Sequence, residues 1–150
     1  MPEFKTPKYD FCINNNPTPK IFDFIRKKYV ALTPEEWVRQ NFLKFLVQGK
    51  KYPPTLIYLE KSLRMGKMSK RCDAVVYDNK ANPLMILEFK APQIALTQNV
   101  FDQIARYNAT LQVKYLIITN GLKYFCCKID AKNNSYEFMD DIPEYNLLKP

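Results

Sequence analysis

The sequence contains no histidine, only three glycines and four cysteines, and each shortage excludes a class of chemistry. Without histidine there is no Ser-His-Asp or Cys-His catalytic set and no imidazole metal ligand. The scattered glycines Gly49, Gly66 and Gly121 cannot form a P-loop or a dinucleotide fingerprint, so we expect no nucleotide cofactor and no ATP-driven motor. The cysteines form no CxxC pair, which favours reduced, mostly buried thiols. Chemistry must therefore come from carboxylates, lysines, amides and tyrosines.

Long apolar runs are also missing. No run approaches the roughly 18 residues of a membrane span, and the opening MPEFKTPKYD lacks the apolar core of a secretory signal. We therefore expect a cytoplasmic protein without a membrane partner. The 47% hydrophobic content is typical of a single globular domain over 1–150, with 1–19 as an irregular arm rich in Pro and Asn. The net charge of +8 favours an anionic partner, nucleic acid first.

Periodicity predicts two helices and a series of strands. Thr33 suits an N-cap, Pro34 the first helical position and Glu36 a capping box, which predicts a helix over 33–48. A second helix is predicted over 97–112. A hairpin or extended lead-in is expected over 20–32, a loop over 61–71, and strands over 55–62, 71–78, 84–91, 115–121, 123–130 and 135–139. This order predicts an α/β fold with a mixed sheet and one helix on each face.

The stretch 71–91 carries the main functional signal. Asp73 lies on its first strand, and alternation places Glu88 and Lys90 on one face of its second strand. Carboxylates on neighbouring strands, roughly 5 Å apart, suit Mg²⁺, with the Phe89 carbonyl as a further ligand. Lys90 would then orient the attacking water or neutralise developing charge. The alternative is a partly exposed strand pair joined by a salt bridge.

Other residues near this stretch also have two interpretations. Glu36 either caps its helix or reaches the metal site as a third acid. The cations of 61–71, among them Lys67, Lys70 and Arg71, form either a solvated turn or a phosphate contact. Gln103 and Tyr107 lie four residues apart on one helix face. Either they have a role at the candidate metal site, or they belong to an ordinary helix surface with one aromatic side chain in the core.

The pattern D-x14-E-F-K followed by Q-x3-Y resembles that of the PD-(D/E)XK nuclease superfamily. The segments YVALTPEEWVRQ, RCDAVVYD, LEFKAP, DQIARYN and LIITNG, within 21–128, resemble the N-terminal nuclease domain of type I restriction enzyme R subunits. The resemblance implies a restriction-endonuclease-like mixed central sheet flanked by helices. It also implies a DNA endonuclease that uses Mg²⁺, with Mn²⁺ as a substitute, and has DNA and restriction-modification subunits as partners.

The resemblance also implies roles for individual residues. Asp73 and Glu88 are expected to bind the metal, Lys90 to be the catalytic lysine and Glu36 the helix acid near the site. Gln103 and Tyr107 match the motif that contacts DNA or braces the active site. Phe89 stands where the family often carries Cys, and its side chain is expected to face away from Glu88 and Lys90.

Two alternatives to a nuclease stay open. One is a catalytically silent DNA-binding or assembly module that retains the fold, and the other is a purely structural basic protein. The R subunits continue into a helicase motor, whereas this sequence ends at Pro150. We therefore expect either a stand-alone protein or a piece of a longer one. The sequence leaves the oligomeric state and the DNA target open.

Overall fold

The computed structural model describes residues 3–5 and 7–149, so residues 1, 2 and 6 of the predicted arm and Pro150 lie outside it. Eleven elements follow one another along the described chain: β1 Ile13–Asn14, β2 Lys20–Asp23, β3 Lys28–Ala31, α1 Pro34–Gly49, β4 Ile57–Met65, β5 Met68–Tyr77, β6 Pro83–Phe89, α2 Gln98–Ala109, β7 Tyr115–Thr119, β8 Tyr124–Asp130 and β9 Ser135–Phe138. Short 3₁₀ turns lie at Pro54–Leu56 and Tyr145–Leu147.

The strands form a small sheet and a large one. The small sheet has the order β1-β2-β3, and the large sheet has the order β4-β5-β6-β7-β8-β9. In the large sheet β6 and β7 run parallel and are joined through α2, whereas the other neighbouring strands are antiparallel. The predicted mixed α/β architecture is confirmed, and it is consistent with a restriction-endonuclease-like sheet.

Each face of the large sheet has its own apolar core. On one face Phe42 and Leu46 of α1 pack in a cluster with Leu87. On the other face Phe101 of α2 packs in a cluster with Ile86. Because strand side chains alternate, consecutive residues of β6 enter opposite cores. The helices therefore cover opposite faces, as predicted.

The start of α1 has the predicted N-cap. The Thr33 hydroxyl accepts a hydrogen bond from the Glu36 backbone N–H at 3.0 Å, and Pro34 is the first helical residue. In a full capping box the Glu36 carboxylate would also accept a hydrogen bond from the Thr33 backbone N–H. Here it accepts instead from Arg26 and Gln40 at 3.2 Å. The charged guanidinium is a stronger donor than the backbone amide of the cap.

The loop predicted over 61–71 was wrong. β4 extends to Met65, β5 begins at Met68, and the two strands are joined by a turn in which Gly66 has a φ of 60°. The cations do not prevent strand pairing, because most of their side chains point to solvent from a two-stranded ribbon. We call residues 61–72 the basic ribbon.

Two further features concern the first third of the chain. The predicted hairpin over 20–32 is confirmed as β2 and β3. Within the predicted irregular arm, Ile13 and Asn14 form a short strand against β2, and Phe4 packs on Phe42 with 4.8 Å between ring centroids. Among the described residues, neither helix is long and apolar enough to cross a membrane.

Candidate functional site

β5 and β6 separate next to two acidic residues. Their ladder ends at the pair Ala74 and Leu87, although β5 stays paired with β4 and β6 stays paired with β7 beyond that point. The next residues on the two strands are Asp73 and Glu88. We call the opening lined by these two residues and Phe89 the strand fork.

Asp73 takes the place of a main-chain acceptor at the strand fork. Its Oδ2 accepts a hydrogen bond from the Phe89 backbone N–H at 2.7 Å. On the other side of Asp73 lies β4. The pairing of β4 with β5 skips the pair formed by Glu60 and Asp73, and Glu60 has a φ of 52°. A non-glycine residue in this region signals local strain. The carboxylate of Asp73 therefore lies where regular strand pairing is interrupted on both sides.

Glu88 is a buried acid, and its side chain reaches Lys70. It is 8% exposed, and its Oε1 accepts a hydrogen bond from the Lys70 ammonium. Burial raises the pKa of Glu88 to about 7, against the lowering effect of Lys70 and with a further rise from neighbouring Asp73. Burial therefore outweighs the ion pair in the protein without metal.

The raised pKa of Glu88 makes the stability of the metal-free protein depend on pH. Between pH 4.5 and about 7 the folded chain holds a proton that the unfolded chain has released, so stability falls as pH rises. In urea unfolding with EDTA, we expect the wild type to lose about 2–3 kcal/mol between about pH 5 and 8 relative to Glu88→Gln. Exposed Glu137→Gln is the control and should follow the wild type. Parallel pH curves for wild type and Glu88→Gln would contradict the assignment.

Lys90 is the residue directly after β6 and the strand fork. Its backbone N–H donates to the Thr119 carbonyl at 2.9 Å, which fixes the chain against β7. Its ammonium makes no ion pair or hydrogen bond with the residues that the structure describes. The salt bridge weighed as an alternative does form at Glu88, but its partner is Lys70. Because its backbone bond continues the pairing with β7, strand alternation extended by one residue puts Lys90 on the same face as Glu88.

Glu36 belongs to a separate cluster of charges. Besides Arg26 and Gln40, its carboxylate has Arg39 Nε at 3.6 Å. The Arg39 guanidinium lies 6.0 Å from the centroid of the Phe89 ring, which packs on the α1 face. Glu88, one residue earlier, points to the α2 face. The structure therefore places Glu36 and Glu88 on opposite faces of the sheet. Within the described residues, no three acidic or cysteine side chains form a potential metal cluster.

The two motif residues of α2 differ in their contacts. Tyr107 is half-exposed, and its hydroxyl donates to the Ser69 carbonyl of β5 at 3.3 Å. The Lys70 ammonium lies 5.6 Å from the centroid of its ring. Gln103, one turn earlier, is exposed to solvent. Tyr107 thus braces the strand that carries Lys70 and Asp73.

The three cations proposed for phosphate contact point in different directions. Lys70 faces Glu88, whereas Arg71, on the opposite face of the ribbon, pairs with Glu60 at 2.8 Å. Lys67 is exposed in the turn. The sequence does not predict the contact between Lys70 and Glu88, because the cations of 61–71 are typical of a loop. The signal that could have revealed this contact is strand alternation, which places Lys70 on the same face as the buried Cys72.

Sequence reasoning also missed a buried ion cluster behind α1. Asp23 is fully buried and accepts from the backbone N–H groups of Ile25 and Arg26 at 2.8 and 2.9 Å, and from the Arg26 guanidinium. Arg26 then reaches Glu36 on α1 and Glu60 on β4. Asp23 followed three residues later by Arg26 in a tight turn is the only sequence signal. The cluster joins the β2–β3 hairpin to α1 and to the large sheet.

Comparison with protein families gives one finding. A family model described as the type I restriction enzyme R protein N terminus matches residues 34–143, which include α1, the strand fork and α2. A comparison with curated proteins found no match.

Proposed function

The chain belongs to the family of type I restriction enzyme R protein N termini, and from this membership we propose that it is a divalent-metal-dependent DNA endonuclease domain of the PD-(D/E)XK type. Its reaction is the hydrolysis of a phosphodiester bond. The observation that supports this most directly is the strand fork, where two carboxylates from neighbouring strands meet, followed by a lysine without an ion pair in the described part of the chain. The partners that follow from the family are DNA and restriction-modification subunits.

The donors at the strand fork fit Mg²⁺, with Mn²⁺ as a substitute. Mg²⁺ is held in proteins by one or two carboxylates and several waters, and Asp73 and Glu88 supply the carboxylates. In an extended strand the N–H and C=O of one residue point to the same edge. Because the Phe89 N–H points to Asp73, its carbonyl faces the same opening. Burial of Glu88 also favours a bound cation, since the carboxylate lacks the solvation it would have in water.

When bound, such an ion polarises the phosphodiester and lowers the pKa of an attached water. The protein's own contribution is positioning and charge. The hydrogen bond from the Phe89 amide orients Asp73. Lys90 comes directly after β6 on the Glu88 face, where its ammonium can hold the attacking water or stabilise charge on the phosphate oxygens. In the metal-free protein Lys70 pairs with Glu88, whereas the Lys90 ammonium has no ion pair among the residues that the structure describes, which makes it the lysine that we assign to the substrate.

Plasmid nicking tests this function through Lys90. With Mg²⁺ we expect Lys90→Met to lower the nicking rate by about 100-fold or more, the usual effect of losing a residue that positions or transfers a proton. Lys114→Met is the matched control, because Lys114 lies near the start of β7 at the other end of the sheet, and it should cleave like the wild type.

Other outcomes of this experiment identify the alternatives. DNA binding without cleavage in either Mg²⁺ or Mn²⁺ would indicate the catalytically silent module. Absence of both DNA and metal binding would indicate the structural protein. Equal nicking by the wild type and Lys90→Met would remove Lys90 from the mechanism.

The basic ribbon is the surface that we propose for the DNA backbone. It extends beyond the last β5–β6 pair as two strands, and the side chains of Arg64 and Lys67 are exposed. Arg71 is partly neutralised by Glu60. Exposed cations attract the phosphates electrostatically and independently of sequence.

Removing two of these charges should weaken DNA binding in a salt-dependent way. For Arg64→Gln/Lys67→Gln we expect the slope of log affinity against log salt to fall by about 1.8, because each phosphate contact contributes about 0.9. Fluorescence anisotropy in EDTA measures this without cleavage. The control is Lys80→Gln/Lys132→Gln, two exposed lysines in other turns. An equal change in both double variants would mean that only net charge matters.

A further inference from the structure

The side chain of Lys70 forms an ion pair with Glu88, one of the two candidate metal ligands. It lies three residues before Asp73 on β5, and its ammonium contacts Oε1 of Glu88. Both side chains are largely buried, with 20% of Lys70 and 11% of Glu88 exposed. A buried carboxylate needs a counter-charge, and in the metal-free protein Lys70 supplies it.

The ammonium of Lys70 is also held from its other side. The Tyr107 ring lies 5.6 Å away, and a cation near an aromatic face is stabilised by the ring quadrupole. The Tyr107 hydroxyl fixes the adjacent backbone through the Ser69 carbonyl. Strand, carboxylate and ring therefore direct Lys70 to one place, beside Glu88. Within the described part of the chain, Lys90 has no such set of contacts.

We propose that Lys70 is an internal competitor of the divalent cation, which holds the Glu88 carboxylate in the metal-free protein and leaves that oxygen when the metal binds. This inference rests on the proposed function. An ammonium and a dication repel each other when both lie against one carboxylate, and a buried site screens that repulsion poorly. Lys70 therefore positions Glu88 and sets the metal concentration at which the site fills.

The direct test is titration with MnCl₂ by isothermal calorimetry at about pH 8, without DNA. A unit charge at about 4–6 Å changes the affinity of a neighbouring site for a cation by roughly tenfold or more. We therefore expect Lys70→Met to bind Mn²⁺ at least about tenfold more tightly than the wild type. Lys67→Met removes an equal charge from the same ribbon without touching Glu88 and should bind within about twofold of the wild type. Lys70→Gln serves the same comparison if Lys70→Met folds poorly.

A conservative variant separates charge from side-chain volume. Lys70→Arg keeps a cation beside Glu88 and should bind Mn²⁺ no more tightly than the wild type. Equal affinity in Lys70→Met and the wild type would overturn the inference while leaving the metal site standing. Equal tightening in Lys70→Met and Lys70→Arg would overturn it too.

Failure of the proposed function gives a different result. Asp73→Asn in the wild-type and Lys70→Met backgrounds shows whether the bound Mn²⁺ is at the strand fork. Binding in Lys70→Met alone, lost with Asp73→Asn, would support the competitor. Binding in neither protein, or binding that ignores Asp73, would overturn the metal site and with it the role of Lys70.

Discussion

Asp73→Asn is expected to lower the Mg²⁺-dependent rate of DNA cleavage by about a thousandfold or more while leaving the fold intact. A carboxylate that holds the metal contributes several kcal/mol to the stabilisation of the transition state, and each 1.36 kcal/mol changes the rate by a factor of about ten. Asparagine keeps an oxygen that can accept from the Phe89 N–H, so the strand contact survives. The variant therefore removes the charge and retains the local structure.

Asp73→Ala separates the two roles of this side chain. It removes the charge and also the acceptor of the Phe89 amide, which lies in a residue only 1% exposed. A buried donor without a partner costs about 1–3 kcal/mol. In urea unfolding with EDTA we therefore expect Asp73→Ala to be less stable than Asp73→Asn by about that amount. Cleavage should be lost equally in both.

Two results would contradict this view of Asp73. Cleavage by Asp73→Asn at the wild-type rate would show that the carboxylate binds no catalytic metal. Equal unfolding free energies of the alanine and asparagine variants would show that the bond to Phe89 adds no stability. Both variants should be purified and assayed in parallel with Lys114→Met. A contaminating nuclease would then give the same activity in all three preparations.

The sequence predicted the regular elements that carry the strand fork. The cap at Thr33 and the apolar run before Glu88 are local signals, and both helices and the sheet strands of the core appeared where these signals lie. Alternation correctly put Phe89 on the face opposite to Glu88. Such patterns depend on one strand or one helix at a time, which is why they are readable from the chain.

Contacts between elements were harder to predict. The separation of β5 and β6 is a property of the pairing between strands, because β5 stays with β4 and β6 stays with β7, and no pattern within one strand marks it. The pairing of Lys70 with Glu88 requires the basic ribbon to be a hairpin, although its cations resemble those of a loop. Glu36 has the cap position expected from the sequence. Its carboxylate is bonded by Gln40 within α1 and also by Arg26, from a hairpin that precedes α1.

Asp23→Ala is expected to lower the free energy of unfolding by about 3–5 kcal/mol, the usual cost of removing one partner of a buried ion pair. Asp23 is fully buried, and its loss leaves the backbone donors of Ile25 and Arg26 and the Arg26 guanidinium without their acceptor. Urea unfolding at neutral pH measures the loss. Asp130→Ala is the matched control, because Asp130 accepts hydrogen bonds from similar turn N–H groups at the surface. It should lower the free energy of unfolding much less.

The same variant shows whether the hairpin holds Glu36 in place. Arg26 joins Asp23 to Glu36, so removing either acid changes the surroundings of the other. In a double-mutant cycle, Asp23→Ala and Glu36→Gln should be non-additive by about 0.5–3 kcal/mol, as is usual for residues of one ion network. Additive losses would mean that Glu36 is held by Gln40 and Arg39 within its own helix. A coupled pair would mean that the small sheet, which precedes the family match at residue 34, orients the acid on α1.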